Sequence, residues 1–268
     1  MTDSSATPAT GATAVRRTSL VRAGVQARHI SLELIEAAPG ATIELTAGQE
    51  RLAVVMSGRA EVGIDGSAAR PAGGRADVFE GPGDAVYLPP EATATLITGD
   101  GWLTLALAAA DAGSGPPGPA RVIRPADQRV AQVGRQSWER TVRTILGPDQ
   151  PASRLLVGET INPPGLWSSF PPHRHDRESE EETALEEVYL YRVQPQNGFG
   201  VQVRYDSDVE QEARVVRDGD VAVIRSGYHP VAAAPGHRLY YLWVMAGDGR
   251  VMRPYIDPRY RWVEEEAR

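Results

Sequence analysis

The chain has no cysteine, which excludes disulfides, thiolate catalysis and cysteine-ligated metal. Lysine is missing too, since all 28 basic residues are arginine. A Schiff base to the protein is therefore excluded, and any carbonyl chemistry must run on acid–base groups or on a metal. No apolar run approaches 18 residues and the amino-terminal stretch has no signal-like apolar core. The expectation is a soluble, cytoplasmic protein with no membrane partner. Positive charge is the minority sign: a net charge of −7 argues against nucleic acid or an anionic membrane as partner. None of the glycine-rich phrases sits between a strand and a helix, so there is no dinucleotide or P-loop signature.

What the chain does have is a β rhythm. A hydrophobic fraction of 41% is enough for a real core. From about Arg28 to Ala110 short runs such as HISLELI, RLAVVMSG, DAVYLPP and WLTLALAA alternate with turn signals. The rhythm resumes in RLLVGET, EEVYLYR, FGVQVRY, DVAVIRSG and RLYYLWVMAG, with strands or a short helix over Gln136–Leu146. That spacing predicts an all-β chain of sandwiches or barrels. Residues 1–18, rich in Ser, Thr, Ala and Gly, read as disordered. Residues 19–112 form a first domain, 113–122 a Gly/Pro linker, and 123–268 a second domain. EGPGDAVYLPPEATATL (Glu80–Leu96) and VRDGDVAVIRSGYHPVAA (Val216–Ala233) share one turn–strand–turn–strand plan, the mark of an internal duplication. Glu91-Ala92 stand where the second copy has Tyr228-His229, and the first half carries no histidine pair. One half is structural and the other chemical.

Three of the five histidines lie in two phrases of the second half, SSFPPHRHD (Ser168–Asp176) and SGYHPV (Ser226–Val231). His173 and His175, two apart, share a face if extended. A carboxylate from LEEVYLYR (Leu185–Arg192) and His229 would complete a nitrogen–oxygen ligand set suited to divalent zinc, iron, manganese or nickel. Alternation alone leaves Glu186 and Glu187 open as the ligand. Asp176 reads as a turn or outer acceptor, and the charge run DRESEEETALE as a solvated loop.

These phrases, with GFG, GYHPV, APG and YYLWVMAG, resemble the 5-deoxy-glucuronate isomerase family of inositol catabolism, within the cupin superfamily; the likeness spans roughly Arg28 to Val263. The resemblance implies two tandem jelly-roll barrels and a metal held by His173, His175, Glu187 and His229. It also implies conversion of 5-deoxy-D-glucuronate to 5-dehydro-2-deoxy-D-gluconate. Bicupins pair through sheet edges, which implies a homo-oligomer, a dimer or larger. The chemistry needs a base for the C2 proton, for which Glu187 is the candidate, and an acid or relay, for which Tyr189 is the candidate. Gln202, Arg204, Trp167 and Tyr241 are candidates for contacting the small sugar-acid substrate. Arg192, Arg140 and Arg143 join Arg204 as candidates for its carboxylate. The family's arginine after GFG stands one place earlier than Arg204, a shift that flips a strand residue to the other face. Leu166 and Trp243 replace common asparagines. Rival readings are a related uronate ketol-isomerase, a cupin dioxygenase, and a sugar-binding module without catalysis.

Overall fold

The computed structural model describes residues 14–207 and 211–265. Among them the first half forms β1 (Val15–Val21), β2 (Ile30–Ala37), β3 (Thr42–Leu45), β4 (Glu50–Ser57), β5 (Arg59–Ile64), β6 (Arg70–Gly73), β7 (Ala85–Leu88), β8 (Ala94–Thr98), β9 (Leu103–Ala110) and β10 (Arg121–Ile123). The second forms β11 (Arg129–Val133), β12 (Arg140–Leu146), β13 (Leu156–Asn162), β14 (Trp167–Ser168), β15 (His173–Arg174) and β16 (Leu185–Gln194). It continues with β17 (Gly200–Tyr205), β18 (Gln211–Val216), β19 (Val221–Ile224), β20 (Val231–Ala233), β21 (Arg238–Gly247) and β22 (Tyr255–Ile256). Among the described residues, helix is confined to three 3-10 turns and α1 (Trp262–Glu265), and no helix there is long and apolar enough to cross a membrane.

Each half is an antiparallel two-sheet barrel. The first pairs β1-β2-β9-β4-β7-β10 with β3-β8-β5-β6; the second pairs β11-β12-β13-β21-β16-β19 with β14-β20-β17-β18. The strand plans superimpose: β2-β9-β4-β7 has the same order and directions as β13-β21-β16-β19. Two boundaries differ from expectation. Val15–Thr18, read as disordered, pair with β2 through Ala37 to Leu34, while residues 1–13 lie outside the described residues. Arg121 and Val122, read as linker, pair with Tyr87 and Val86 and so extend the first barrel's sheet. The segment Gln136–Leu146 is both things expected of it, a 3-10 turn over Gln136–Trp138 and then a strand.

The two six-stranded sheets share a core. Leu32, Leu52, Val54 and Ala108 from one side and Val157, Val188, Leu242 and Val244 from the other belong to a single buried cluster. Such strands are covered on both faces, so the middle of β4 (Leu52–Met56) and nearly all of β21 read as unbroken apolar runs. Each aliphatic side chain so buried contributes about 1.5–3 kcal/mol. Two glutamates tie the halves together reciprocally. Glu50 accepts from the backbone N–H groups of Ser153 (2.5 Å), Arg154 (2.8 Å) and Leu155 (2.8 Å). Glu186 accepts from those of Arg28 (2.6 Å), His29 (2.6 Å) and Ile30 (2.8 Å). A buried carboxylate needs such donors to offset its lost hydration.

Candidate metal centre

On β16 the odd-numbered residues face the second barrel's interior, where Tyr189, Tyr191 and Val193 pack with Leu239, Tyr241, Trp243 and Met245 of β21. Glu187 shares that parity and is 2% exposed. Glu186, on the opposite face, makes the cross-barrel bonds just described. The strand thus separates two adjacent glutamates that alternation alone left equivalent.

Strand β15, the residue after it and the loop before β20 bring three imidazoles together beside Glu187. Ring centroids lie 6.2 Å apart for His173–His175, 5.1 Å for His173–His229 and 5.0 Å for His175–His229. One ligating nitrogen from each lies within 4.8 Å of the others, so the three histidines could hold a metal. Nε2 of His175 and Nε2 of His229 stand 3.2 Å and 3.3 Å from the same Glu187 oxygen, Oε2.

Hydrogen bonding fixes which ring nitrogens point inward. Nδ1 of His175 is 2.7 Å from the Leu185 carbonyl, Nδ1 of His229 is 2.9 Å from that of Gly227, and Nδ1 of His173 is 3.3 Å from that of Pro171. A carbonyl only accepts, so each Nδ1 carries the hydrogen, and in the neutral ring each Nε2 is a bare lone pair. Lone pairs gathered round a carboxylate repel unless a cation lies among them. Apart from that approach to Glu187, the buried Nε2 of His229 has no hydrogen-bond partner. This donor set fits a divalent ion, with backbone carbonyls holding the ligand tautomers.

Charge follows the same logic. Burial alone would push the Glu187 carboxyl up, but hydrogen bonds and charge from His175 and His229 hold it at about 2. Burial lowers His175, and its contacts with Glu187 more than reverse this, so its pKa is raised. His173 is half-buried as a residue, yet burial of its ring and the two neighbouring imidazoles push it down to about 3. Without metal, a proton on His175 supplies the missing cation.

The charge run does more than face solvent. Glu182 is 2% exposed; it accepts from the backbone of Asp176 (2.7 Å) and Arg177 (3.0 Å) and pairs with Arg174 (3.1 Å). Asp176 in turn accepts from the Gly227 N–H at 2.6 Å, steadying the residue whose carbonyl sets the His229 tautomer. Gly227 has φ +82°, and a Cβ there would lie 2.8 Å from the Tyr205 carbonyl, so only glycine fits.

Beyond the histidines the barrel is lined with hydroxyls. Tyr189 and Tyr241 pack in a tilted arrangement with ring centroids 4.4 Å apart, and Tyr189 lies 6.2 Å from the His229 ring. The Tyr189 hydroxyl is 3.2 Å from Ser169 Oγ, and that of Tyr241 bonds Ser168 Oγ. Burial raises both phenol pKa values, well above the usual range for Tyr189, so both stay protonated. Gln202 is 3% exposed and its Nε2 has no partner. Arg204 shares the face of Gln202 on β17 and donates to the Val223 carbonyl at 3.4 Å. Trp167 stands on the opposite face of its short strand from Ser168, half-buried, 5.9 Å from Phe170. Arg192 pairs with Asp218 (3.4 Å) and Arg143 with Glu159 (3.4 Å) between the barrels. Sequence reasoning missed Asn162, fully buried with both amide atoms unpartnered. Its parity with Thr160 in GETIN was the available signal.

Comparison with known proteins fits this geometry. A family model described as the KduI/IolB family matches residues 7–263. The 5-deoxy-glucuronate isomerase of Geobacillus kaustophilus is 37% identical over 241 residues, covering 88% of this chain and 86% of that protein. The crystal structure of an IolB-like protein from Salmonella typhimurium superimposes with a TM-score of 0.85 at 33% identity, over 92% of this chain and 94% of that one. A cupin 2 conserved barrel domain protein from Leptotrichia buccalis shares the fold at a TM-score of 0.50 and 12% identity, over 87% of this chain and 89% of its own.

Proposed function

The chain belongs to the KduI/IolB family, and on that premise we propose that it is a metal-dependent 5-deoxy-glucuronate isomerase. It moves the carbonyl of a sugar acid from C1 to C2, giving 5-dehydro-2-deoxy-D-gluconate. The observation that carries the reading is the clustering of three histidine nitrogens, two of which, Nε2 of His175 and of His229, stand 3.2 Å and 3.3 Å from one buried carboxylate oxygen. Zinc, manganese, iron and nickel all suit three nitrogen donors and one oxygen. Such an ion would polarise the substrate oxygens and stabilise developing charge by several kcal/mol.

The chain's own residues move the protons. Glu187 takes the proton from C2 and returns it at C1. Its pKa of about 2 belongs to a carboxylate bonded to His175 and His229; turning from them restores the basicity the step needs. Tyr189, held protonated by burial, gives a proton to the oxygen at C1 and recovers one from the C2 hydroxyl, with Ser169 at 3.2 Å as its partner. Gln202, with an unpartnered amide nitrogen, donates to a sugar hydroxyl. Tyr241 and Ser168 form the adjoining wall. With this reading go a cytoplasmic location and self-association through the outer strands β1, β10, β11 and β19.

The test is proton NMR of 5-deoxy-glucuronate in D₂O under argon with metal-loaded protein. Conversion to the 2-deoxy-5-keto acid, stopped by chelation, is expected. No conversion with one metal bound per chain overturns the reading, and oxygen uptake with ferrous iron would favour an oxygenase instead.

A further inference from the structure

The proposed substrate carries a carboxylate at the end remote from its aldehyde. With no lysine, its partner must be an arginine, a histidine or backbone amides. Most arginines near the second barrel are already committed: Arg143 and Arg75 to Glu159, Arg192 to Asp218, Arg174 to Glu182. Arg204 opens on a surface cleft shared with Glu212.

Arg140 is placed differently. It begins β12, whose even-numbered side turns inward, since Val142 packs on the interior cluster. Its Nη1 donates to the carbonyls of Trp138 and Phe170, both at 3.3 Å, and its guanidinium lies 5.8 Å from the Trp138 ring. Gly134 makes the room: it has φ +82°, and a Cβ there would come within 2.9 Å of Nη1. The next carbonyl after Phe170, that of Pro171, is the one facing Nδ1 of His173 at 3.3 Å. Arg140 and His173 thus hang from consecutive peptide groups, on the order of 10 Å apart or less, within reach of one extended six-carbon acid. Tyr241 and Tyr189 are close enough to interact electrostatically with the guanidinium. Among the described residues Nε and Nη2 make no hydrogen bond and no carboxylate stands at ion-pair distance; Glu264 acts only from farther away.

We propose that Arg140 binds the substrate carboxylate through its Nε–Nη2 edge, directing the aldehyde end to the three histidines. That edge is a planar fork matched to a carboxylate, and it explains a half-buried arginine without an acid. The assignment rests on the isomerase reading, and it makes Arg140 the residue that selects uronates over neutral aldoses.

The experiment compares wild type, R140Q and R140K on 5-deoxy-glucuronate and on 5-deoxy-glucose, in which CH₂OH replaces the carboxylate. Metal content is checked in each protein. For the acid, kcat/KM should fall about a hundredfold in R140Q, mostly through KM, to the level wild type shows with the neutral sugar. R140Q should cost the neutral sugar far less than it costs the acid, and R140K should fall between. If R140Q loses metal, R140K with full metal carries the comparison. Equal losses on both sugars, an undiminished acid rate, or a wild type indifferent to the carboxylate each overturn the role of Arg140. A wild type that isomerises neither sugar overturns the isomerase reading itself.

Discussion

The two barrels place opposite charges at one position. In the first, Arg51 of β4 lies across from Ala109 of β9 and Leu88 of β7. In the second, Glu187 of β16 lies across from Met245 of β21 and Ile224 of β19, the same register on matching strands. Ala92, two residues before β8, stands where His229 stands two before β20. Arg51, 6% exposed, sends its guanidinium into that space: Nε donates to the Gln49 carbonyl (3.1 Å), Nη2 to that of Ala92 (2.6 Å), and Nη1 to that of Thr46. The hydrophobic cluster beyond is aliphatic, built from Ile35, Ile43, Leu96 and Leu105 among others, whereas the second barrel's interior holds Tyr189, Tyr191 and Tyr241. One fold thus has two ways to put a cation at its pole. The first barrel carries it on a covalent stem and needs no ligands; the second, on the proposed reading, would take its cation from solution among three histidines that could hold one.

The sharpest way to break the comparison is Glu187→Gln. It should lower turnover by about a thousandfold or more, because the metal's several kcal/mol of charge stabilisation go with the ligand and the base. Folding should persist; steady-state rates beside metal analysis read this. A variant keeping both metal and rate would remove Glu187 from both roles. Next in size is Arg51→Met, which leaves three backbone carbonyls without their donor. At about 1 kcal/mol or more each, the first barrel should lose about 3 kcal/mol in denaturant unfolding, with the rate per folded chain little changed. Lost activity without lost stability would mean that the first barrel takes part in the chemistry.

How much of this was legible in the sequence depends on what each residue's role depends on. The strands and the duplication were legible because turn residues and alternation are local signals. The histidines were legible because they are few and closely spaced. Choosing Glu187 over Glu186 needed the resemblance, since β16 is covered on both sides and its alternation is nearly erased. The kinship of Arg51 with Glu187 is present in ERLAVV and EEVYLY, but only the sheet register makes it visible. Arg140 was one arginine among 28; its distinction is the lack of a nearby acid, which depends on where distant acids point. Glu182 was hidden in a charge run because burial there follows from loop closure, not from composition.

Acid should separate the two barrels by the nature of their cations, and it is the gentlest test. A histidine ligates only when neutral. In the metal-free second barrel His175 has a raised pKa, so it takes a proton above the ordinary histidine value of about 6.5. Glu187, at about 2, stays ionised across the same range, and His173, at about 3, stays neutral. Raising the His175 pKa favours the protonated, metal-free form at low pH, and that advantage vanishes as pH rises through the shifted value. One proton therefore competes with one metal, and apparent metal affinity should fall about tenfold per pH unit below the shifted value. Arg51 remains charged throughout, so the first barrel's amide-exchange protection should not move between pH 8 and pH 5 by the same argument. Chelator competition at stepped pH measures the slope. A flat profile down to about pH 4 would rule out ligation by His175, whereas a slope of two would show a second ligand protonating with it, and the electrostatic order drawn for the cluster would have to be reversed.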